Sequence, residues 1–513
     1  MKKIMSMLVL TLFAFAIVGC QTQTTAQTTQ TTTTTQSGTT AITTTGTATS
    51  TTVSGTTGAT TESTGTLTTV SHTPVTITYA AWNLGAIDSL NLERLMIEAF
   101  MDEYPWITVE ITERPKVPDS SGIGEIDQNW NEFLGAKAAL GELPDVYFTD
   151  STETIIMNNW AKDMTAIANA DPEFLNVSSD IRNAANYGGK LMALPYAVYY
   201  FGYYINKTIF DNANADLPTF EDTFDEFCDK IKEVANHNVT NGTGTAGIVG
   251  IDRMLEWYPS QLNEDLGWFT YDGSILHLAG QEFEDTLTLY QTLMADKSFV
   301  YDALTAEEQL AAFGTLNTWE SSQLAAFWDY TPSIGSMMDY EFEVDFVGTP
   351  GNATVHQIPI ILDLMGISSQ TTHLEEAYLL AKWMSFGKDG YLKRIEICTS
   401  GDYPDLATLN MTPLQPDQDL LDAFFDIYYT FDELRSVVEY DNYIIEPNKY
   451  VPGYIKARWT GTYMAETTLG QVFDMVRLGD LNYADVKTQW NNLANVQLTN
   501  AQNAVYTKLG VTP

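Results

Sequence analysis

Apolar and polar positions alternate where the non-repetitive part of the chain begins. Val75, Ile77 and Tyr79 point to one side of the backbone, and small or polar residues separate them. An alternation with period two is typical of a half-buried β-strand. The pattern therefore predicts a strand that runs into Trp82 and Asn83.

The next segment changes to a helical period. Its apolar positions recur every three or four residues, at Leu92, Leu95, Met96, Ala99 and Phe100. Asp88 can cap this helix, and Pro105 lies just beyond its end. Residues 107–111 then alternate again, residues 130–140 return to a helical pattern, and residues 146–148 form a short apolar run.

The order strand, helix, strand, helix, strand predicts a mainly parallel sheet with helices on both faces. Ligands of such sheets bind outside the carboxyl ends of the strands. Trp82, Asn83 and Asp150 occupy those ends and are the first candidate site residues. Each also has a purely structural interpretation, because Trp82 could fill a core, Asn83 a turn, and Asp150 a helix N-cap.

The first twenty residues form a short basic start and an apolar run that ends at Gly19 and Cys20. That run is too short for a stable membrane span and predicts a signal peptide over residues 1–20. Residues 17–20 resemble a bacterial lipobox. The resemblance implies a lipid on the Cys20 thiol and an anchor on the outer face of the cell membrane. The alternative is an ordinary secreted protein with a chance cysteine.

Residues 21–73 consist almost entirely of Thr, Gln, Ser, Gly and Ala, which predicts a disordered tether whose hydroxyls could carry glycans. A length of 513 residues predicts two lobes, each with its own core. The net charge of -41 argues against a nucleic-acid partner. Cys228 and Cys398 could form one disulfide or remain two buried thiols, and no metal or cofactor is predicted.

Several local motifs, taken in order, resemble the extracellular solute-binding proteins of ATP-driven importers, in the sugar-binding branch that includes maltodextrin-binding protein. The motifs lie at residues 100–105 (FMDEYP), 141–146 (GELPDV), 188–195 (GGKLMALP), 204–207 (YINK), 218–220 (PTF), 224–227 (FDEF) and 365–369 (MGISS). Each motif alone is common, whereas their order through residues 75–498 is specific.

The resemblance implies an α/β, two-lobed, periplasmic-binding-protein-like fold of type II with a cleft between the lobes. Lobe 1 would comprise residues 74–195 plus about 346–440, and lobe 2 about 204–345 plus about 445–513. The chain would be a monomer that captures a sugar or oligosaccharide and delivers it to a membrane permease. It would not be an enzyme.

Aromatic residues make up 12% of the chain, and several stand beside polar groups. Flat rings stack on the C–H faces of a pyranose, and amides or carboxylates bond its hydroxyls. By resemblance, Trp82, Asn83 and Asp150 match contacts of lobe 1, while Tyr199 stands where the maltodextrin-binding branch has an acidic contact. The other candidates are Trp257, Trp328, Asp329, Arg458 and Trp459. A core-filling role is the alternative for each aromatic residue.

Three other functions remain open from the sequence. The acidic composition and the aromatic residues also suit a polyamine or another cation. An extracellular glycosidase would need a pair of carboxylates, and no local motif singles one out. A surface adhesin would explain the anchor and the Thr-rich segment but not the ordered series of motifs.

Overall fold

The computed structural model describes residues 72–512, except residues 88, 120–123, 404–405 and 407–408. Pro74–Pro513 forms one compact unit. The predicted signal peptide, the lipid site at Cys20 and nearly all of the Thr-rich segment lie outside the described residues, as does Asp88.

The strands are β1 Val75–Ala80, β2 Ile107–Ile111, β3 Lys116–Pro118, β4 Glu125–Asp127, β5 Val146–Thr149, β6 Asn186–Tyr187, β7 Lys190–Leu191, β8 Leu194–Asn206, β9 Ala246–Val249, β10 Leu324–Tyr330, β11 Val344–Phe346, β12 Ile358–Ile367, β13 Tyr443–Ile445, β14 Thr462–Met464 and β15 Thr467–Thr468.

The α-helices are α1 Leu92–Glu103, α2 Trp130–Leu140, α3 Thr152–Met157, α4 Thr165–Ala168, α5 Pro172–Asn176, α6 Ser179–Asn183, α7 Lys207–Ala213, α8 Phe224–Val234, α9 Met254–Leu262, α10 Gln281–Ala295, α11 Ala306–Phe313, α12 Ile334–Met337, α13 Leu374–Met384, α14 Lys388–Thr399, α15 Gln418–Ile427, α16 Leu434–Val438, α17 Leu469–Leu478 and α18 Tyr483–Leu509. A π-helical turn spans Lys456–Thr460.

Among the described residues, nine strands form the main sheet, with the path β2-β1-β5-β12-β8-β10-β9 and with β11 and β13 paired to β8 and β12. Strands β1, β2 and β5 are parallel, and β12 is antiparallel to both β5 and β8. It follows that β8 runs in the same direction as β1 and β5. The predicted α/β fold is confirmed, whereas the main sheet is mixed and not mainly parallel, because β12 and β10 pair with β8 in the antiparallel sense.

Strand β8 serves both halves of this sheet. Its first half pairs with β12, up to Tyr200 opposite Ile360. Its second half pairs with β10, starting with Phe201 opposite Tyr330, and with β11. The strand therefore changes partners between two adjacent residues, and this step is the point at which the chain first crosses from one half to the other.

Two hydrophobic cores flank the crossing. The first gathers most of its side chains from 77–198 and 358–438, and the second from 203–300 and 444–498. This two-core arrangement agrees with the two lobes expected from the sequence. We propose lobe boundaries close to those expected from the sequence, with α18 contributing Leu498 to the second core and Val505 to the first.

Side-chain alternation divides the second half of β8 between the two cores. Tyr203 and Ile205 point into the second core, whereas Tyr204 belongs to the first. Tyr204 stacks on Phe327 and contacts Phe346, with ring centroids 5.4 and 4.9 Å apart. Part of the segment expected in the second lobe therefore joins the first core, because successive side chains of a strand face opposite sides.

The segment that follows β11 crosses β8, and the two meet at a pair of glycines, Gly348 and Gly202. The backbone N–H of Tyr203 donates to the carbonyl oxygen of Gly348 at 3.0 Å. A Cβ atom on Gly202 would lie 2.4 Å from the Cα atom of Gly348, and Gly348 itself has a φ of +68°. The two crossing segments can touch only because Gly202 carries no side chain, while the positive φ of Gly348 is a conformation that glycine adopts readily.

A buried ion pair fixes α14 to α1 inside the first core. Nη2 of Arg394 donates to Oε2 of Glu93 at 3.0 Å, and the two side chains are only 2% and 8% exposed. Glu93 therefore belongs to the buried face of α1 with Met96 and Phe100, an acidic position that the apolar pattern did not predict. The helix is capped by Asn91, whose side chain accepts from the N–H groups of Glu93 and Arg94.

The cysteines and the helices add two findings. Cys228 and Cys398 are free, one packing in the second core and the other against the first. Within the described residues, no helix combines the length and the apolar character that a membrane crossing requires.

The glycine contact at the crossing generates a first prediction. Gly202→Ala should lower the free energy of unfolding by about 1–3 kcal/mol, because its methyl group would overlap the Gly348 backbone. Urea unfolding measures the change. Gly135→Ala is the control, since a Cβ there meets only Trp160 ring carbons, the nearest at 3.4 Å, and the residue lies inside α2. The control should be neutral or stabilising. Equal stability of both variants would contradict the close crossing.

Candidate functional site

Three strands that run in the same direction end at one edge of the first half of the sheet. Strand β1 leads to Trp82 and Asn83, β5 leads to Asp150, and the part of β8 that pairs with β12 ends at Tyr199 and Tyr200. The sequence-predicted residues Trp82, Asn83, Asp150 and Tyr199 therefore lie along the same carboxyl edge. All four are half-buried, so each presents part of its surface to solvent.

Trp82 and Asn83 are held by neighbouring rings and a hydroxyl. The Trp82 ring meets Phe148 and Trp130 edge to face, with centroids 4.9 and 5.5 Å apart. Nδ2 of Asn83 donates to the Tyr196 hydroxyl at 3.1 Å, while Oδ1 of Asn83 is buried without a partner in the described residues. The loop after β1 is thus fixed in place, and one amide oxygen is still available to a donor.

Asp150 accepts two contacts from one amide. Nδ2 of Asn131 lies 3.1 and 3.3 Å from its two carboxylate oxygens. Burial raises the pKa of Asp150, and the charge of Lys449 partly offsets that increase. Ser151, the next residue, is the N-cap of α3. Asp150 is consequently not the cap, and its carboxylate points toward the carboxyl edge, within range of Lys449.

The second half of the sheet contributes a group of aromatic rings at its own carboxyl edge. Phe201 is stacked between Trp328 and Trp268, with ring centroids 5.6 and 5.2 Å apart. Tyr330 contacts Phe201 at 5.6 Å and Tyr199 at 6.4 Å. We call these five residues, Tyr199, Phe201, Trp268, Trp328 and Tyr330, the aromatic seam. The seam runs along one face of β8 across the partner change.

Trp257 and Asp329 take other positions. The Trp257 ring stacks on Trp328 with centroids 6.0 Å apart and an interplanar angle of 5°, but it is fully buried. It supports the seam from inside the second core. Asp329 lies on the opposite face of β10 from Trp328 and accepts a hydrogen bond from Ser333 at 2.7 Å. Strand alternation therefore does not bring Asp329 together with Trp328.

Arg458 is enclosed by side chains of the second core. Nη2 of Arg458 donates to Oε1 of Glu256 at 2.8 Å, and the two side chains are 2% and 7% exposed. Its guanidinium carbon lies 3.7 Å from the ring centroid of Trp459 and about as close to those of Phe269 and Phe473. Of the predicted pair, Trp459 keeps part of its ring exposed and Arg458 does not.

A second ion pair stands between the aromatic seam and Asp150. Lys449 donates to Oδ1 of Asp363, and the two side chains are 9% and 13% exposed. Asp363 lies on β12 opposite Ala197, and Ile361, two residues away on the same face, lies opposite Tyr199. Burial raises the pKa of Tyr199, and the negative charge of Asp363 adds to the increase.

Glu446 lies beside this ion pair, just after β13. Residues 443–451 contribute side chains to both cores and form the third segment that crosses between them, after β8 and the segment that follows β11. Glu446 is 4% exposed, and its Oε2 atom has no partner among the described residues. Burial raises the pKa of Glu446 to about 8, and Lys449 offsets part of that effect. The charges of Glu256 and Asp363 add to the increase. Glu446 is therefore mostly protonated at neutral pH.

Sequence reasoning missed the polar groups Asp363, Lys449 and Glu446. Glu446 and Lys449 are neighbours in the sequence, but Asp363 lies more than 80 residues before them and Asp150 more than 200 residues before Asp363, so no short motif contains the whole set. The period-two pattern of β8 could have identified Phe201 as a partner of Tyr199. The glycine at position 250, just after β9, also marks this region, because it is the close packing of Trp328 that excludes a side chain there: a Cβ atom on Gly250 would lie 2.7 Å from the Trp328 Cβ atom.

The described part of the chain contains no group of three or more His, Cys, Asp or Glu side chains placed to hold a metal ion. What the arrangement offers instead is a set of flat rings beside carboxylate, ammonium and amide groups. Flat rings can stack on a ligand, and these polar groups can exchange hydrogen bonds with it.

The chain was compared with known proteins. Residues 90–386, more than half of the sequence, match the family described as bacterial extracellular solute-binding protein. No protein in the curated set matches at a significant level. Structures with the same fold are, however, found among binding proteins of several bacteria.

Three of these structures illustrate the similarity. A sugar transporter protein of Rhizobium etli in an open conformation has a TM-score of 0.60 at 14% identity, covering 82% of this chain and 99% of the other. A cyclic α-maltosyl-1,6-maltose binding protein of Arthrobacter globiformis has 0.55 at 15%, covering 83% and 100%. A substrate-binding protein of Listeria monocytogenes in complex with cycloalternan has 0.52 at 16%, covering 86% and 100%. At these identities the likeness establishes the fold.

The burial of Glu446 generates a pH prediction. The unfolded chain ionises this carboxyl near pH 4.3 and the folded chain near 8, so between these values the unfolded state binds fewer protons. The contribution of Glu446 to the free energy of unfolding therefore falls as the pH rises between these two pKa values, and it stays constant above the higher one. Glu446→Gln should flatten the fall and make the protein more stable than wild type at pH 9, by about 2–4 kcal/mol. Urea unfolding from pH 5 to 9 measures it.

Asp345 provides the matched comparison. Burial raises the pKa of this β11 carboxyl to about 7. Asp345→Asn should therefore flatten the profile only below about pH 7, whereas Glu446→Gln also acts between 7 and 8. A Glu446→Gln profile parallel to that of wild type between pH 7 and 8 would show that Glu446 is already ionised in the folded protein.

Proposed function

The chain belongs to the family of bacterial extracellular solute-binding proteins, and on that basis we propose that it captures a sugar or oligosaccharide for an ATP-driven importer. The observation that carries the proposal is the aromatic seam along the crossing strand. Tyr199 is partly exposed and meets Tyr330 edge to face, and the partly exposed Phe201 and Trp328 of the ring stack extend this apolar surface. A pyranose presents apolar C–H faces that pack against such rings.

The edge of the sheet at the ends of β1 and β5 supplies polar groups for the ligand. Asn83 and Asp150 project from the ends of β1 and β5 on the side of the first core, while Trp328 projects from β10 on the side of the second. A ligand that touches both edges gains more contacts when the lobes approach each other. Binding therefore favours a closed arrangement.

The closed form is what a membrane permease would recognise. Crossing segments that meet at Gly202 and Gly348 allow small changes of backbone angle at one point, so closure needs no unfolding of either core. The permease is contributed by other chains. The protein acts as a monomer in this scheme, with a lipid on Cys20 that keeps it at the outer face of the membrane.

Ligand screening tests the proposal. The full chain is examined by thermal shift and Trp fluorescence against maltotetraose, raffinose, cellotetraose, the corresponding monosaccharides and spermidine. A saccharide at 100 times its dissociation constant should add about 2.7 kcal/mol of stability. Trp82→Ala and Trp328→Ala should each weaken its binding about tenfold or more, because each removes partly exposed aromatic surface from one edge.

Trp106→Ala is the control for these variants. Trp106 lies immediately before β2, at the end of the sheet away from the candidate site, and packs on Tyr104 with centroids 5.5 Å apart. Its removal should leave ligand affinity unchanged. Hydrolysis of a saccharide in the screen would replace the proposal with an enzymatic function, and preference for spermidine would replace the ligand class.

The anchor has a separate test. When the full-length chain is expressed in a bacterium that processes lipoproteins, the wild type should sediment with the membrane fraction. Cys20→Ser should be released from it, because the serine hydroxyl cannot accept the thioether-linked lipid. Cys228→Ser is the matched control and should remain with the membrane. Equal fractionation of all three proteins would mean that Cys20 carries no anchor.

A further inference from the structure

The ion pair between Lys449 and Asp363 lies among the proposed ligand contacts. Strand register places Asp363 next to both groups of contacts, because Leu364, the residue after it on β12, lies opposite Thr149, and Ile361, two residues before it, lies opposite Tyr199. The pair therefore stands between the carboxyl edge of the first half of the sheet and the aromatic seam. Its two members come from β12 and from the third crossing segment.

The pair also keeps unused hydrogen-bonding capacity. Lys449 has three N–H donors, of which one is directed to Oδ1 of Asp363. The other carboxylate oxygen of Asp363 accepts no hydrogen bond from the described residues. Because the two side chains remain 9% and 13% exposed, a ligand that enters the cleft can reach them.

The remaining charges near the pair are compensated. Glu446 is held mostly protonated by burial, and Glu256 is paired with Arg458 at 2.8 Å. The charges left to face a ligand are then the ammonium of Lys449 and the carboxylates of Asp363 and Asp150. Lys449 already occupies the position beside both carboxylates, so a ligand ammonium could approach either carboxylate only by coming close to this fixed positive charge.

From this arrangement we infer that Lys449 and Asp363 are the specificity-determining pair of the site, and that they select a neutral polyhydroxylated ligand over a cationic one. Adjacent hydroxyls suit the pair, because one accepts from the Lys449 ammonium while its neighbour donates to the free oxygen of Asp363. The inference rests on the proposed sugar-binding function and adds the groups that would exclude a polyamine.

The test measures the affinity of wild type and variants for the panel saccharide that binds best and for spermidine, by titration calorimetry. Lys449→Met should weaken saccharide binding about 10- to 100-fold, as expected for a lost hydrogen bond to a charged group, and should strengthen spermidine binding. Asp363→Asn should weaken saccharide binding as well. Lys382→Met is the control, since Lys382 pairs with Asp171 and Glu173 away from the site.

Lys449→Met leaves Asp363 without its partner and could unfold the protein. The double variant Lys449→Met, Asp363→Leu removes both charges and should restore stability while binding the saccharide as weakly as the single variant. Saccharide affinities within twofold of wild type for all three variants would overturn the inference, and so would wild-type binding of spermidine in preference to every saccharide. A folded wild-type protein that binds neither would overturn the proposed function itself.

Discussion

The single strand β8 is the element on which the rest of the structure depends, because it supplies backbone hydrogen bonds to both halves of the main sheet. Its partner changes from β12 to β10 between Tyr200 and Phe201. A strand that must satisfy its N–H and C=O groups on both sides cannot bend freely. The closure proposed above would therefore centre on this step and on the neighbouring contact of Gly202 with Gly348.

The same step controls where the candidate site lies. Tyr199 and Phe201 flank the partner change and point to the same face, so the rings proposed to stack on a ligand are attached to the backbone that would move during closure. The affinity for a ligand bound across these rings would therefore depend on the relative position of the two cores. The site and the hinge thus share residues, and a substitution in the seam would alter affinity both through stacking and through the closure equilibrium.

Much of the fold could be predicted from the sequence, since period-two and period-3.6 patterns marked β1, α1, β2, α2 and β5, and the ordered motifs implied two lobes. The site was predicted less completely. Asp329 was proposed by resemblance, together with Trp328, and adjacent residues of a strand face opposite sides. Lys449, Asp363 and Glu446 meet only through long-range pairing of β13 with β12, and no local pattern encodes that contact.

The charge of the whole chain is a poor guide to the charge of the candidate site. The sequence has a net charge of -41, which by itself favours a cationic ligand. Inside the structure the acidic groups are mostly neutralised, because Glu256 faces Arg458, Asp363 faces Lys449, and burial keeps a proton on Glu446. Burying three uncompensated carboxylates near one another would be strongly unfavourable, so folding itself removes most of the negative charge from this region. What remains is a polar surface with both donors and acceptors, which matches a ligand rich in hydroxyl groups better than one rich in ammonium groups.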